Sequence, residues 1–164
     1  MTQEFHFNLK TPIGFVWVSG DQNAVHRIEL LDERGPQSKT LSLVLQKAKK
    51  QIQEYFKGER LVFDVPVALN GTDFQNKVWK ALQRIPCGQT KSYGDIARGI
   101  KNDKACRAVG LANNKNKIPL LVPCHRVVGA NGDLTGFACG LWRKEWLLNH
   151  EQKIAQKQSL RKTA

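Results

Sequence analysis

The chain has 164 residues, 41% of them hydrophobic, and carries a formal charge of +12. That length suits one ordinary domain or two small ones. No run approaches the ~20 apolar residues of a membrane span, and the opening "MTQEFHFNLKTPIG" lacks the basic-then-apolar order of a secretory signal, so a cytoplasmic setting is expected, beside the nucleoid in a bacterial cell.

The charge is unevenly spread. Residues 1–70 hold nine Lys/Arg against eight Asp/Glu, while residues 71–164 hold seventeen against six. A basic half beside a neutral half points to a polyanionic partner, and nucleic acid fits best. The tail from 152 onward adds four cations, too few to account for the bias.

In chain order, "TPIGFVWVSG" and "AVHRIELLD" are short β-branched runs on either side of a polar stretch at Gly20–Asp21, and predict a hairpin. Leu41, Leu45, Ala48, Ile52 and Phe56 recur at helical spacing, with Gly58 as a stop. "RLVFDVPVAL" returns to strand. Residues 1–70 therefore predict a small strand-rich scaffold with one helix.

"NGTDFQ" marks the change to a second domain over 71–152. Thr72 and Gln75 have capping-box spacing, and the helix "DFQNKVWKALQRI" follows. Ser92 and Asp95 repeat that spacing before a short helix, "YGDIARGI". "KNDK" separates it from a second helix, "ACRAVGLANN". Two short helices joined by a turn predict a helix-turn-helix. The second helix carries Ala105, Cys106, Ala108, Gly110 and one Arg107. Small residues suit close approach to a minor groove, or equally close helix packing.

Asn131–Gly132 between β-like runs predicts a hairpin turn. Pro119 and Pro123 exclude a helix and a central strand in that stretch. "GLWRKEWLLNHE" predicts an amphipathic helix that pairs Trp142 with Trp146 and Leu141 with Leu148 and ends near Glu151. Residues 153–164 follow as a basic tail. The fold class expected is α+β.

The four cysteines, Cys87, Cys106, Cys124 and Cys139, form no C-x-x-C pair, and no His sits at zinc-finger spacing. Neither a disulfide framework nor a metal site is expected. His6 and His26 read as ordinary histidines. "VPCHRVV" is different. A buried-core reading accommodates Cys124 but not His125 and Arg126 behind it. A thiol with an imidazole nearby to take its proton is a nucleophile. In an extended segment adjacent side chains point to opposite faces, so His125 needs a bend or a bridging water to serve Cys124. On these residues alone a cysteine hydrolase stays open.

The ordered set "FQNKVWKALQRIPCGQTKSYGDIA", "CRAVGLANNKNKIPLLVPCHRVV" and "GDLTGFACGLWRKEWLLNHE" resembles the O6-alkylguanine-DNA alkyltransferases, densely over about residues 72–151 and more loosely over the first unit. The resemblance implies a ribonuclease-H-like N-terminal unit and a C-terminal unit that flips an alkylated base out of double-stranded DNA. It implies Cys124 as alkyl acceptor, His125 as a base acting through a water, and Glu151 as the carboxylate that orients it. Asn116 would brace the turn before the active-site strand. Tyr93 would donate to the leaving guanine, and Arg107 would fill the stack. Ser92 with Ala105, Cys106, Ala108 and Gly110 would face DNA. Val127, Phe137, Ala138, Cys139 and Asn113 would line the base pocket, with the Val127 carbonyl on the guanine amino group. No cofactor and no obligate protein partner is implied, so a monomer is expected.

Four departures stand out. Ala138 replaces a serine found in some members, Cys139 the first Gly of a Gly-Gly pair, Lys117 a common Pro, and Cys87 a common aromatic. Cys139 lacks a His partner, so Cys124 is the expected acceptor. A non-repairing lesion sensor is disfavoured because such proteins lack the acceptor. A helix-turn-helix regulator is disfavoured because the regulators of the family place a zinc-binding domain ahead of the scaffold unit on which this chain opens.

Overall fold

The computed structural model describes residues 2–163, and side chains as far as Arg161. The chain divides into two compact units, Met1–Ala68 and Leu69–Ala164.

The first unit is an antiparallel meander, β1 (Phe5–Thr11), β2 (Gly14–Gly20) and β3 (Val25–Leu31), with one helix, α1 (Leu43–Phe56). Cross-strand partners Leu9, Val16 and Leu30, and Phe7, Val18 and Ile28, form buried rows on one face, as a two-residue side-chain period requires. Helix α1 buries Leu45, Ala48, Ile52 and Tyr55. Ser42 caps it by accepting from the Leu45 amide, and Gly58, at φ +81°, follows its end. Strand β1 was not expected, although Phe5, Phe7 and Leu9 alternate with polar residues. The strand expected after Arg60 is irregular. Its one ladder contact is a parallel bridge of Val67 to Val25, because Pro66 contributes no amide to a ladder.

The second unit contains α2 (Asp73–Leu82), β4 (Lys91–Ser92), α3 (Tyr93–Gly99), α4 (Cys106–Asn114), a single 3-10 turn (Cys124–Arg126), β5 (Val127–Val128) and α5 (Leu141–Thr163). Both capping boxes form: Thr72 with Gln75 starts α2, and Ser92 with Asp95 starts α3. Helices α3 and α4 pack together and α2 packs on α4, tied by the buried Trp79 indole donating to the Ala112 carbonyl at 2.9 Å. The two-residue strands β4 and β5 pair in parallel, Lys91 with Val127 and Ser92 with Val128. That short ladder sets the start of α3 beside the Cys–His turn.

Three expectations are corrected here. The Asn131–Gly132 turn is present, with Gly132 at φ +87° and the Gly129 amide donating to Asp133. Residues 134–139 form no return strand, so it is a turn without a hairpin. The last helix does not end near Glu151 but runs to Thr163, so the basic tail is helical. No acidic residue, Pro or Gly interrupts residues 152–163. Its buried stripe is Lys144, Leu147, Glu151 and Ile154, while Trp142 and Leu141 are about half exposed. The polar members of the buried stripe hid it from a reading based on hydrophobic spacing. Among the described residues, no helix is long and apolar enough to cross a membrane.

Candidate active site

Proline creates the bend at Cys124. Pro123 has φ −80° and ψ 68°, and the Cys124 amide donates to the Val122 carbonyl at 2.8 Å. These are the marks of an inverse γ-turn. The next three residues close a 3-10 turn, with the Arg126 amide donating to Pro123. Cys124 and His125 therefore do not lie on an extended strand. Both are buried, as are Arg126 and every residue from Ile118 to Val128.

The loop ahead of the turn is held by Asn116. Its Oδ1 accepts from the Ile118 amide at 2.9 Å and its Nδ2 donates to the Val122 carbonyl at 2.8 Å. Between those anchors, buried Leu120 adopts φ +75°, a conformation costing roughly 1–2 kcal/mol for a residue with a Cβ. Asn116 also favours the ionised form of the Cys124 thiol. Asn113 lies on the buried face of α4, and its Nδ2 donates to the Cys124 carbonyl at 3.4 Å. It supports the turn from behind.

Glu151 and His125 are 0% and 1% exposed. His125 Nε2 lies 2.7 Å from Glu151 Oε2. Arg126 grips the same carboxylate, Nε to Oε1 at 2.8 Å and Nη2 to Oε2 at 3.0 Å, and its Nη1 donates to the Ile85 carbonyl at 2.6 Å. Burial pushes the Glu151 carboxyl up, but His125 and Arg126 outweigh it and hold the group ionised, well below the usual carboxylate range. A carboxylate only accepts, so Nε2 carries the proton. Burial pushes the imidazole down, against the pull of Glu151, so the ring is neutral. Its basic nitrogen is then Nδ1, which is buried without a protein hydrogen-bond partner.

The Cys124 thiol is pushed up to about 12 by burial and further by the Cys139 thiol, against the opposing effects of Asn116 and Lys144. It is protonated at rest, and a base must remove its proton before it reacts. No disulfide joins the four cysteines, and no cluster among the described residues is suited to a metal.

Tyr93 opens α3 and its hydroxyl donates to the Thr135 carbonyl at 3.1 Å. Gly136, at φ +60°, lets the chain pass Tyr93: a Cβ there would stand 3.2 Å from the hydroxyl. Val127 and Phe137 are buried, Cys139 is half-buried and Ala138 is exposed. The Val127 carbonyl accepts from Lys144 Nζ at 2.5 Å, leaving one lone pair for another donor. On α4, Cys106, Arg107 and Ala108 are exposed and Gly110 is half-buried. Ala105 is the N-cap of α4 and is buried, so it leaves the outward surface expected of it. The Ser92 hydroxyl accepts from the Asp95 amide as the cap of α3. Arg126 and Lys144 were missed by sequence reasoning. Arg126 stood in the quoted motif, and Lys144 lies two helical turns before Glu151 on the same stripe.

A buried thiol, a neutral imidazole with its tautomer fixed by a carboxylate, and an adjoining helix-turn-helix are the parts that a cysteine nucleophile on a nucleic-acid-binding scaffold requires. Comparison with known proteins identifies the family. Residues 73–153 match the "6-O-methylguanine DNA methyltransferase, DNA binding domain" and residues 7–69 its "ribonuclease-like domain". The methylated-DNA–protein-cysteine methyltransferase of Methanosarcina mazei is 47% identical over 90% of this chain and 97% of its own. The crystal structure of the Mycobacterium tuberculosis O6-methylguanine methyltransferase superposes with a TM-score of 0.82 at 42% identity, covering 92% of this chain and 94% of that one. A structure of the M. tuberculosis protein in complex with DNA gives 0.81 at 43% identity, covering 90% and 92%. The chain belongs to the methylated-DNA–protein-cysteine methyltransferase family.

Proposed function

We propose that this protein repairs DNA by direct reversal, moving the alkyl group of an O6-alkylguanine, or an O4-alkylthymine, irreversibly to Cys124. The observation that carries the reading is the His125–Glu151 pair at 2.7 Å, which leaves Nδ1 as the basic nitrogen of the residue that follows Cys124. The lesion oxygen lies inside the duplex, so the nucleotide is flipped into a pocket bordered by Tyr93, Val127, Phe137, Ala138 and Cys139. Arg107, exposed on α4, takes the vacated place in the stack.

The thiol proton passes to His125 Nδ1 through a water. Cys124 Sγ then attacks the alkyl carbon: a carbon–sulfur bond forms and the carbon–O6 bond breaks. The electron pair leaves with guanine, the Tyr93 hydroxyl stabilises that charge, and the proton released by the thiol ends on the purine. The thioether has no route back, so each chain acts once. The protein acts as a monomer on duplex DNA in the cytoplasm.

Duplex DNA with a labelled O6-methylguanine tests the reading. One label per chain is expected, and none with Cys124→Ser. Repeated turnover means a hydrolase. Binding without transfer means a lesion sensor.

A further inference from the structure

Helix α5 outruns its own packing. Ile154, at 2% exposure, is the last member of its buried stripe. Near that point the helix is seated on the turn ahead of β4. The Gln152 side chain donates to the Gly88 carbonyl at 2.8 Å, and a Cβ at Gly88 would stand 2.7 Å from that of Ala155. Beyond this seat the helix continues to Thr163.

Lys153, Lys157 and Arg161 recur at four-residue spacing and so line one side of this extension. All three are exposed, and none forms an ion pair among the described residues. No Asp or Glu follows Glu151 in the chain, and Glu151 is itself held by His125 and Arg126. Asn149 and His150, the helical neighbours before Lys153, are not acidic either. Like charges four residues apart oppose a helix. The helix dipole favours a cation only within the last turn, which accounts for Arg161 but not for Lys153 and Lys157 further up. Successive members of the row stand ~6 Å apart along the axis. The row therefore spans ~12 Å, the axial rise of three or four phosphates on one DNA strand at ~3.4 Å each.

We propose that Lys153, Lys157 and Arg161 form a second DNA contact, outside the helix-turn-helix, that holds the phosphate backbone by charge. Duplex DNA is the polyanion because the row belongs to the same compact unit as α3 and α4. Its seat at Gly88 is also the turn that runs into Lys91 and Ser92, where α3 begins. A phosphate contact adds affinity without reading sequence. The proposal rests on duplex binding and not on alkyl transfer to Cys124, so unmodified DNA is the probe and a failure of the transfer chemistry leaves the outcome untouched.

The first test is the affinity for a short unmodified duplex at salt concentrations from about 50 to 200 mM. Each phosphate contact contributes about 0.9 to the slope of log affinity on log salt. The triple variant Lys153→Gln, Lys157→Gln, Arg161→Gln should therefore bind with a slope shallower by about 2.7. A control triple, Lys10→Gln, Lys39→Gln, Lys50→Gln, removes the same charge from exposed sites of the first unit and should keep the wild-type slope. The second test needs no variant. Bound duplex should slow acetylation of Lys153 and Lys157 several-fold in the wild-type protein, read by mass spectrometry, and leave Lys39 and Lys50 unchanged. An unchanged slope in the tail variant, an equal loss in the control, or equal acetylation with and without DNA would each overturn the proposal. So would protection by vesicles of phosphatidylglycerol and phosphatidylcholine but not by duplex, which would assign the row to a lipid surface.

Discussion

Glu151 Oε2 lies 2.7 Å from His125 Nε2, and the pair is sealed from solvent. The contact decides which imidazole nitrogen is the base, because an ionised carboxylate can only accept. Arg126 completes the arrangement by holding both oxygens of the carboxylate. Adjacent in sequence, Cys124, His125 and Arg126 divide into a buried thiol, an imidazole whose Nδ1 is left as its basic nitrogen, and a charge that helps keep the Glu151 carboxylate ionised.

Glu151→Gln keeps the shape and removes the charge. It leaves Arg126 buried without a counter-charge, which costs about 3 kcal/mol or more. Chemical denaturation should show that loss. Iodoacetamide labelling of Cys124 should slow as well, because the amide can no longer impose the tautomer.

The same pair sets the acid response. The folded His125 has a lowered pKa, so its stability contribution is complete above the unfolded value near 6.5 and fades as pH falls below it. Glu151 is also lowered, and its contribution fades only below the unfolded value of 4.5. Melting temperature should therefore decline in two stages, first below pH 6.5 and then below 4.5. His125→Gln should remove the first stage. A variant that declines like wild type from pH 7 to 5 would assign that stage elsewhere.

Asn116→Ala unties the Ile118 amide and the Val122 carbonyl, both in a buried segment. Unpaired buried groups cost about 1–3 kcal/mol, and the strained Leu120 loses its brace. The melting temperature should fall, and Cys124 should label more slowly because the polar group that favours its thiolate is gone. Unchanged thiol reactivity in a destabilised variant would confine Asn116 to holding the loop.

Arg107→Ala should weaken binding to lesion-containing duplexes by a similar factor in every flanking sequence. Affinities measured over several contexts and salt concentrations check this. Loss confined to one context would indicate base readout in the major groove.

Much of this was legible in the sequence where local chemistry is decisive. Thr72 with Gln75 and Ser92 with Asp95 form the capping boxes that their spacing predicts. Gly58, at φ +81°, follows the end of α1. What was not legible depends on tertiary contact. The conformation of Cys124–Arg126 rests on a γ-turn at Pro123 and on Asn116, neither visible in a side-chain pattern. The buried stripe of α5 carries Lys144 and Glu151, which spacing rules for apolar residues pass over. The segment after Arg60 has strand-like composition, but Pro66 limits its pairing to a single bridge.

The central claim is a single transfer to one of two neighbouring thiols. Incubating the protein with excess O6-methylguanine duplex, digesting it and mapping the methyl group by mass spectrometry tests this most directly. The account predicts one methyl per chain, on Cys124, with Cys139 unmodified. A methyl on Cys139, or more than one lesion repaired per chain, would contradict it.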